Sequence, residues 1–434
     1  MKKHYILLCL ILIITTLFVS CGNKAKEEAN TTAKTTNKAS ISFLNSKGEI
    51  QDSLEQLAKE YERETGGKVE ILACGAGEVP YTKITTMYNS GNAPTLAMLD
   101  TLDVLALAKE YALDLSNEKW IADTESQIVK IDGKVYSFPF CVEGRGIIYN
   151  KKAIEDTLGK SFDPKSINST ASLSSLLKEL RANGMTNPVF LAKEDWSLGA
   201  HQLGFLYDAY DGTTEGSAVI INRLKQGENP LTIDRFNQFM DTLDLLMEYN
   251  VYKADPIGAD YDEGALKLAD GEVALWPNGC WAWPNLAEGG AKTTDEFGFL
   301  PFTLGNNTTD FANTDIQASA SKQVMIDKKQ ASSEQVQEAK DFLNWLVYSE
   351  NGQKLLVEKC AIIPAASNNP NKPADPLGTD IVNKLASGNV YNSCFIAPSD
   401  HWSSMGAALQ KYISGNSNRG EFAATLSTYW KAQN

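Results

Sequence analysis

The sequence predicts an α/β protein of more than one domain, and three observations carry that expectation. Between residues 41 and 99, short apolar runs alternate with stretches of helical periodicity. The resulting order of strand, helix, strand, helix, strand is that of a parallel sheet covered by helices. The chain has 434 residues, more than one hydrophobic core usually holds. Its 43% hydrophobic and 22% charged residues fit an ordinary water-exposed fold rather than a fibrous or unfolded chain.

The first twenty residues stand apart. Lys2 and Lys3 precede an unbroken apolar run from Ile6 to Ile14, which continues through Leu17-Phe18-Val19 to Ser20-Cys21. That layout is a secretory signal, since no stop-transfer flank follows. A small residue directly before Cys resembles a bacterial lipobox, so residues 1–20 are expected to be removed and Cys21 acylated. Cleavage by an ordinary signal peptidase is the alternative. Asn23 to Lys38 has no aromatic or branched aliphatic residue, cannot bury apolar surface, and reads as a disordered tether spanning 21–40. More than one acyl chain would hold the remainder on the outer face of a bacterial cytoplasmic membrane.

A formal net charge of −14 argues against nucleic acid and anionic lipid surfaces as partners. The three histidines, His4, His201 and His401, are too far apart in sequence to suggest a zinc motif, and no cofactor or metal is expected. Beyond Cys21 there remain Cys74, Cys141, Cys280, Cys360 and Cys394, an odd number without CxxC spacing. Cys360 with Cys394 is the one pairing considered, and free buried thiols are the preferred reading.

In order along the chain, Ile41 to Leu44 reads as a strand, followed by a helix with Ile50, Leu54, Leu57 and Tyr61 on one face and Gly66-Gly67 as its stop. Lys68 to Ala73 is a strand, Pro80 to Gly91 a helix, and Thr95 to Leu99 a strand. Ligands of such sheets sit beyond the carboxyl ends of strands, where Asn45, Ser46, Lys47, Asp100 and Thr101 fall. Asp132-Gly133 is a tight turn. Two short strands, 136–140 and 147–151, flank Glu143 and Arg145, for which a structural ion pair is the plain reading. Helices are expected over 171–182, 198–210 and 236–249, and ending at Asp270 with Gly271 as cap. Strands are expected at 188–191, 272–276 and 297–301, and helices over 336–346, from about Ser403 and from about Arg419. The proline-rich stretch 364–376 reads as a surface loop.

One stretch needs its own account. Trp276-Pro-Asn-Gly-Cys-Trp-Ala-Trp-Pro284 holds three of the eight tryptophans. Pro277, Gly279 and Pro284 oppose a helix, and the prolines oppose a central strand, so the segment reads as a loop. Indole faces on such a loop offer either an aromatic plug between layers or a stacking surface for a flat apolar ligand face.

Several blocks then line up in one order. Asp132-Gly-Lys-Val-Tyr136, Pro139-Phe140, Glu143 and Ile148-Tyr-Asn-Lys151 are followed by Ala269-Asp-Gly-Glu-Val-Ala274 and Asn278-Gly-Cys-Trp-Ala-Trp283. Ala339 to Leu346 with Ser349-Glu350, and Asp400-His-Trp402, complete the series. In these blocks the chain resembles the extracellular solute-binding proteins of carbohydrate ABC transporters, over roughly 41–430. The resemblance implies the type II periplasmic-binding-protein fold: two lobes, each a sheet flanked by helices, with ligand in the cleft between them. It places one lobe at 41–142 plus 300–346 and the other at 143–296 plus 347–434. It further implies a monomer that delivers a sugar or oligosaccharide to membrane permease subunits, and no enzymatic activity.

Carried over by position, Trp281 is the indole that stacks on a sugar ring, Trp402 a second platform, and Trp196 a third. Glu143 and Glu194 would accept sugar hydroxyls, with Asp100 and Lys47 as further polar contacts. Trp276 and Trp283 would pack behind Trp281. Leu99-Asp-Thr-Leu102 stands where maltose-binding members have an aromatic and an Asp-Arg pair, which argues against maltose. The chemistry agrees independently, because a pyranose needs an apolar surface under its C–H face and acceptors around its edge. A charged acceptor bonded to a hydroxyl contributes about 1.5–3 kcal/mol. Two rival readings are a non-sugar solute on the same fold and a secreted glycosidase built on Glu143, Glu194 and Asp195, which would need two carboxyls at a fixed separation.

Overall fold

The computed structural model describes residues 38–75 and 78–433. Cys21, the expected signal and nearly all of the tether lie outside the described residues. Eleven strands are present among them: β1 (Ser40–Asn45), β2 (Lys68–Ala73), β3 (Leu96–Asp100), β4 (Lys130–Ile131), β5 (Lys134–Val135), β6 (Phe138–Asn150), β7 (Leu275–Gly279), β8 (Phe297–Leu300), β9 (Ile316–Ile326), β10 (Ile363–Pro364) and β11 (Val390–Tyr391). Nine form one sheet ordered β10-β6-β9-β3-β1-β2, with β7 and β8 also on β6 and β11 on β9. β1 pairs in parallel with β2 and β3, as the alternation over 41–99 predicts.

The helix Gln51–Thr65 buries Leu54, Leu57, Ala58 and Tyr61 and stops at Gly66. There the backbone turns left-handed (φ 75°), a conformation that costs glycine nothing. Asp132 and Gly133 both take positive φ, 49° and 77°, which gives the two-residue turn between β4 and β5 the twist that a hairpin requires.

β6 and β9 tie the molecule together. They run antiparallel from Phe138↔Val324 to Arg145↔Gln317, with register shifts around Cys141. Before that crossing β9 pairs with β3, and beyond it β6 pairs with β7 and β8. The two short strands expected at 136–140 and 147–151 are therefore one strand, and Glu143 and Arg145 lie within its span.

Apolar side chains pack in groups on either side of the crossing. Phe43, Leu54, Tyr61, Phe342 and Leu346 form one core, joined by Leu356, Cys360 and Ile362 from later in the chain. A smaller group holds Leu44, Ile84, Leu99 and Val104. On the other side Leu173, Phe205, Phe239, Leu409 and Trp430 share a core with Phe302 and Leu304, and Phe190, Trp276, Phe299 and Ile381 form another. Cys360 is a buried free thiol in the first of these cores, so its pairing with Cys394 is not formed.

The stretch 276–284 is not a loop. Trp276 to Gly279 belong to β7, Cys280–Ala282 form a single helical turn, and Trp283–Glu288 are helical. The prolines do not prevent this, for two reasons. Within the sheet β7 pairs with β6 alone, so Pro277 sits on an edge where its missing N–H is tolerated. Pro284 falls in the first turn of its helix, where an N–H has no intrahelical partner anyway. The strand expected at 188–191 is likewise reduced to bridges from Val189 to Asn250 and Leu275.

Candidate functional site

A cavity of about 570 Å³ opens where the β-strand ends meet the crossing strands. Its size falls in the range of roughly 300–1,000 Å³ usual for small-molecule sites. Of the residues singled out from sequence, Lys47, Asp100, Glu143, Trp196, Trp281 and Trp402 all line it, and Glu194 does not. The Glu194 carboxyl has its Oε2 buried without a hydrogen-bond partner among the described residues, and burial pushes its pKa up.

The three indoles reach the cavity from three elements. Trp281 rides the helical turn after β7, directly over the backbone of Gly279. Trp276 is fully buried, 5.2 Å from the Phe190 ring and 4.9 Å from Tyr261, and Trp283 is buried against Phe297. Of Trp276, Trp281 and Trp283, only Trp281 lines the cavity. Trp196 begins a helical segment that continues as a π-helix over Ser197–Gln202. That segment lies close against the helix His401–Ile413, which carries Trp402. A β-carbon at Gly199 would fall 2.0 Å from the Trp402 carbonyl oxygen, and one at Gly406 would fall 2.3 Å from that of Asp195. Reciprocal glycines thus bring Trp196 and Trp402 to one wall.

His201 sits between two of these platforms, its ring 4.6 Å from Trp281 and 5.2 Å from Trp196. Burial holds its pKa well below the ordinary histidine value, so it is neutral at physiological pH. His401 is buried as well, bonded to the Tyr207 hydroxyl at 3.0 Å and pushed down to about 3 by burial.

Opposite the indoles the lining is polar. No aromatic residue before Glu143 lines the cavity among the described residues. Lys47 forms ion pairs with Glu49 (2.7 Å) and Glu143. Burial opposes the charge on Lys47, but the Glu143 and Glu49 carboxylates outweigh it and raise the pKa well above the lysine value. Burial likewise favours a protonated Glu143, yet Lys47 and Lys322, with a hydrogen bond donated by the Ser321 hydroxyl, keep it below the usual carboxylate range. Glu143 is therefore a fixed, charged acceptor on the crossing strand. The structural pair read from sequence, Glu143 with Arg145, is not made. Arg145 donates instead to Gln317 (2.6 Å) and Ser393 (2.7 Å). Asp100 pairs with Lys322 at 2.7 Å, and Asp103 beside it is raised to about 7, by burial first and by the Asp100 charge second.

Sequence reasoning missed Tyr261 and the whole lining contributed by β9, including Ser319, Ser321 and Lys322. The Tyr261 hydroxyl accepts from Asn278 Nδ2 at 2.9 Å and stands at the start of the helix Tyr261–Asp270, where no motif marks it. For β9 the signal was present only as a short alternation of Gln317, Ser319 and Ser321 with Ile316, Ala318 and Ala320, which Lys322 interrupts. Cys280, left without a role by sequence, accepts a hydrogen bond from the Gly144 N–H at 3.5 Å, and so fastens the Trp281 turn to β6.

Comparisons with known proteins bear on the fold and the family. A multiple sugar-binding protein of Streptococcus mutans is 24% identical over 378 residues, covering 84% of each chain. The solved structure of the solute-binding protein RafE in complex with raffinose superposes with a TM-score of 0.73 at 18% identity, covering 91% of this chain and 99% of the other. A chitin oligosaccharide binding protein gives 0.70 at 18% identity, over 91% and 99%. These likenesses establish the two-lobed type II fold. Residues 56–377 match the family described as bacterial extracellular solute-binding protein, and the chain belongs to that family.

Proposed function

We propose that this protein captures a neutral sugar or oligosaccharide outside the cell and delivers it to the permease subunits of an ABC importer. The observation that carries the reading is the pairing of chemistries in one cavity: indoles of Trp196, Trp281 and Trp402 on one wall, and the fixed carboxylate of Glu143 at the crossing strand. Stacking on the indole faces supplies the apolar half of sugar recognition, and Glu143 with the polar wall supplies the hydroxyl partners. The sugar-binding relatives support the same class of solute.

The two lobes we propose are 41–142 plus 300–346 and 143–296 plus 347–434, adjusted where Phe302 and Leu304 pack with the second and Leu356, Cys360 and Ile362 with the first. Solute touching both favours the closed state, because only there are both halves of the site engaged. Trp281, Trp402 and Trp196 act as platforms, and Glu143, Lys47 and Asp100 as polar contacts. Glu194 has no part in this site. We further propose acylation at Cys21, an anchored location on the outer face of the membrane, and a monomer. Glycoside hydrolysis is not favoured, since neither Glu194 nor Asp195 lines the cavity beside Glu143.

A thermal-shift screen of the purified protein over neutral oligosaccharides, uronic-acid sugars, polyamines and phosphodiesters tests the reading. Saturation at about 100 times Kd stabilises by about 2.7 kcal/mol. The expected result is a raised Tm with at least one neutral oligosaccharide. No response to any of them would sink the proposal, and turnover of the sugar at equimolar protein would replace it with an enzyme.

A further inference from the structure

Three cationic side chains line the cavity, and two of them have a carboxylate within 4 Å: Lys47 has Glu143 and Glu49, and Lys322 has Asp100. Arg145 has none among the described residues. Its guanidinium is nonetheless held firmly. Nε donates to Gln317 Oε1, Nη2 donates to Ser393 Oγ, and the group lies over the Phe205 ring, 5.8 Å from its centre. A β-carbon at Gly204 would fall 2.9 Å from Nη2, so any larger residue there would press on the group.

The charge is answered at one remove. Gln317, which accepts from Arg145, donates through Nε2 to Asp208 Oδ2 at 2.7 Å. Asp208 is buried and also receives the Ser217 hydroxyl (2.9 Å) and the Cys394 N–H (3.2 Å). A guanidinium carries five N–H donors. Two serve Gln317 and Ser393, and the other three make no hydrogen bond with the described residues.

Strand alternation puts Glu143 and Arg145 on the same face of β6, about 6.6 Å apart along the strand. A fixed acceptor and a fixed donor thus stand side by side at the floor of one cavity. The cavity is lined by five carboxylates and three cationic side chains, which disfavours an anionic solute. Resting on the sugar reading above, the geometry points to Arg145 as a specificity-determining residue that donates to adjacent hydroxyl oxygens of a neutral sugar, with Asp208 cancelling its charge through Gln317 so that acidic sugars are not selected.

The test uses the purified full chain, with raffinose, mannobiose, chitobiose and digalacturonate as probes in calorimetric titration. Wild type binds at least one neutral probe, and Arg145→Met weakens it at least tenfold while Arg145→Lys loses less. Asp208→Asn removes the cancelling charge, so its affinity for digalacturonate relative to the neutral probe rises at least threefold over wild type. A merely structural role for the network would lower both affinities together and leave that ratio unchanged, which overturns the inference. Unchanged neutral binding in Arg145→Met overturns it while leaving the sugar reading intact. Wild type that binds digalacturonate and no neutral probe overturns it in favour of direct charge pairing, and wild type that binds no probe removes the sugar reading as well.

Discussion

A β-carbon at position 279 would lie 2.1 Å from Cζ3 of Trp281. No real side chain tolerates that approach, so the bare backbone of Gly279 is the seat on which the indole rests. Gly279→Ala must tilt or lift the ring. The expected outcome is an affinity loss of about tenfold for the bound sugar, read by titration calorimetry, with the far-ultraviolet circular dichroism unchanged.

Trp281→Ala removes the platform itself. Trp281 is only half-buried, so its loss should lower the unliganded Tm little, while stacking worth about 0.5–1.5 kcal/mol disappears together with the apolar area it covers. A Kd raised at least tenfold is expected. An unchanged Kd would refute the stacking role.

The Lys47–Glu143 pair predicts a stability pattern that needs no ligand. Lys47→Met leaves the Glu143 carboxylate buried with Lys322 as the remaining cation acting on it, and should destabilise by about 3–5 kcal/mol in urea unfolding. Adding Glu143→Gln removes the stranded charge, so the double variant should recover much of that loss. Simple additivity of the two would show that the pair is not coupled.

Asp103 predicts a pH dependence whose sign is fixed. Burial and the Asp100 charge raise its pKa to about 7 in the folded state, against about 3.9 in an unfolded chain. The folded state therefore holds its proton more tightly, and between about pH 4 and 7 this group makes stability fall as pH rises. Asp103→Asn should raise Tm at pH 8, by at most about 4 kcal/mol in free energy, and leave it unchanged at pH 4. An equal change at both would assign the effect to packing.

How much of this was legible beforehand depends on which way side chains face. The elements over 40–100 were readable because Leu54, Leu57 and Tyr61 repeat at helical spacing and the strands between are apolar. β9 was not, because Gln317, Ser319 and Ser321 face the cavity and give a crossing strand the composition of a loop. Composition misled at Pro277 also, where propensity says no strand but an open edge permits one. Trp281, Trp402 and Glu143 were expected from the family resemblance, and all three line the cavity. Glu194 was expected at the site from the resemblance alone, and it does not line the cavity although Trp196, two residues on, does.

β6 and β9 run unbroken through both halves of the sheet, and this has a kinematic consequence for the closure proposed above. A rotation displaces points in proportion to their distance from its axis. In that closure Glu143 and Arg145, on the strand that crosses between the halves, would lie near the axis and move little, whereas Gly75 and Glu78, beyond the outer strand β2, would sweep through the longer arc. A solute can therefore keep its bonds to the crossing strand in the open and the closed form alike. On that closure the crossing strand would meet solute first, and the swinging wall would set how long it stays.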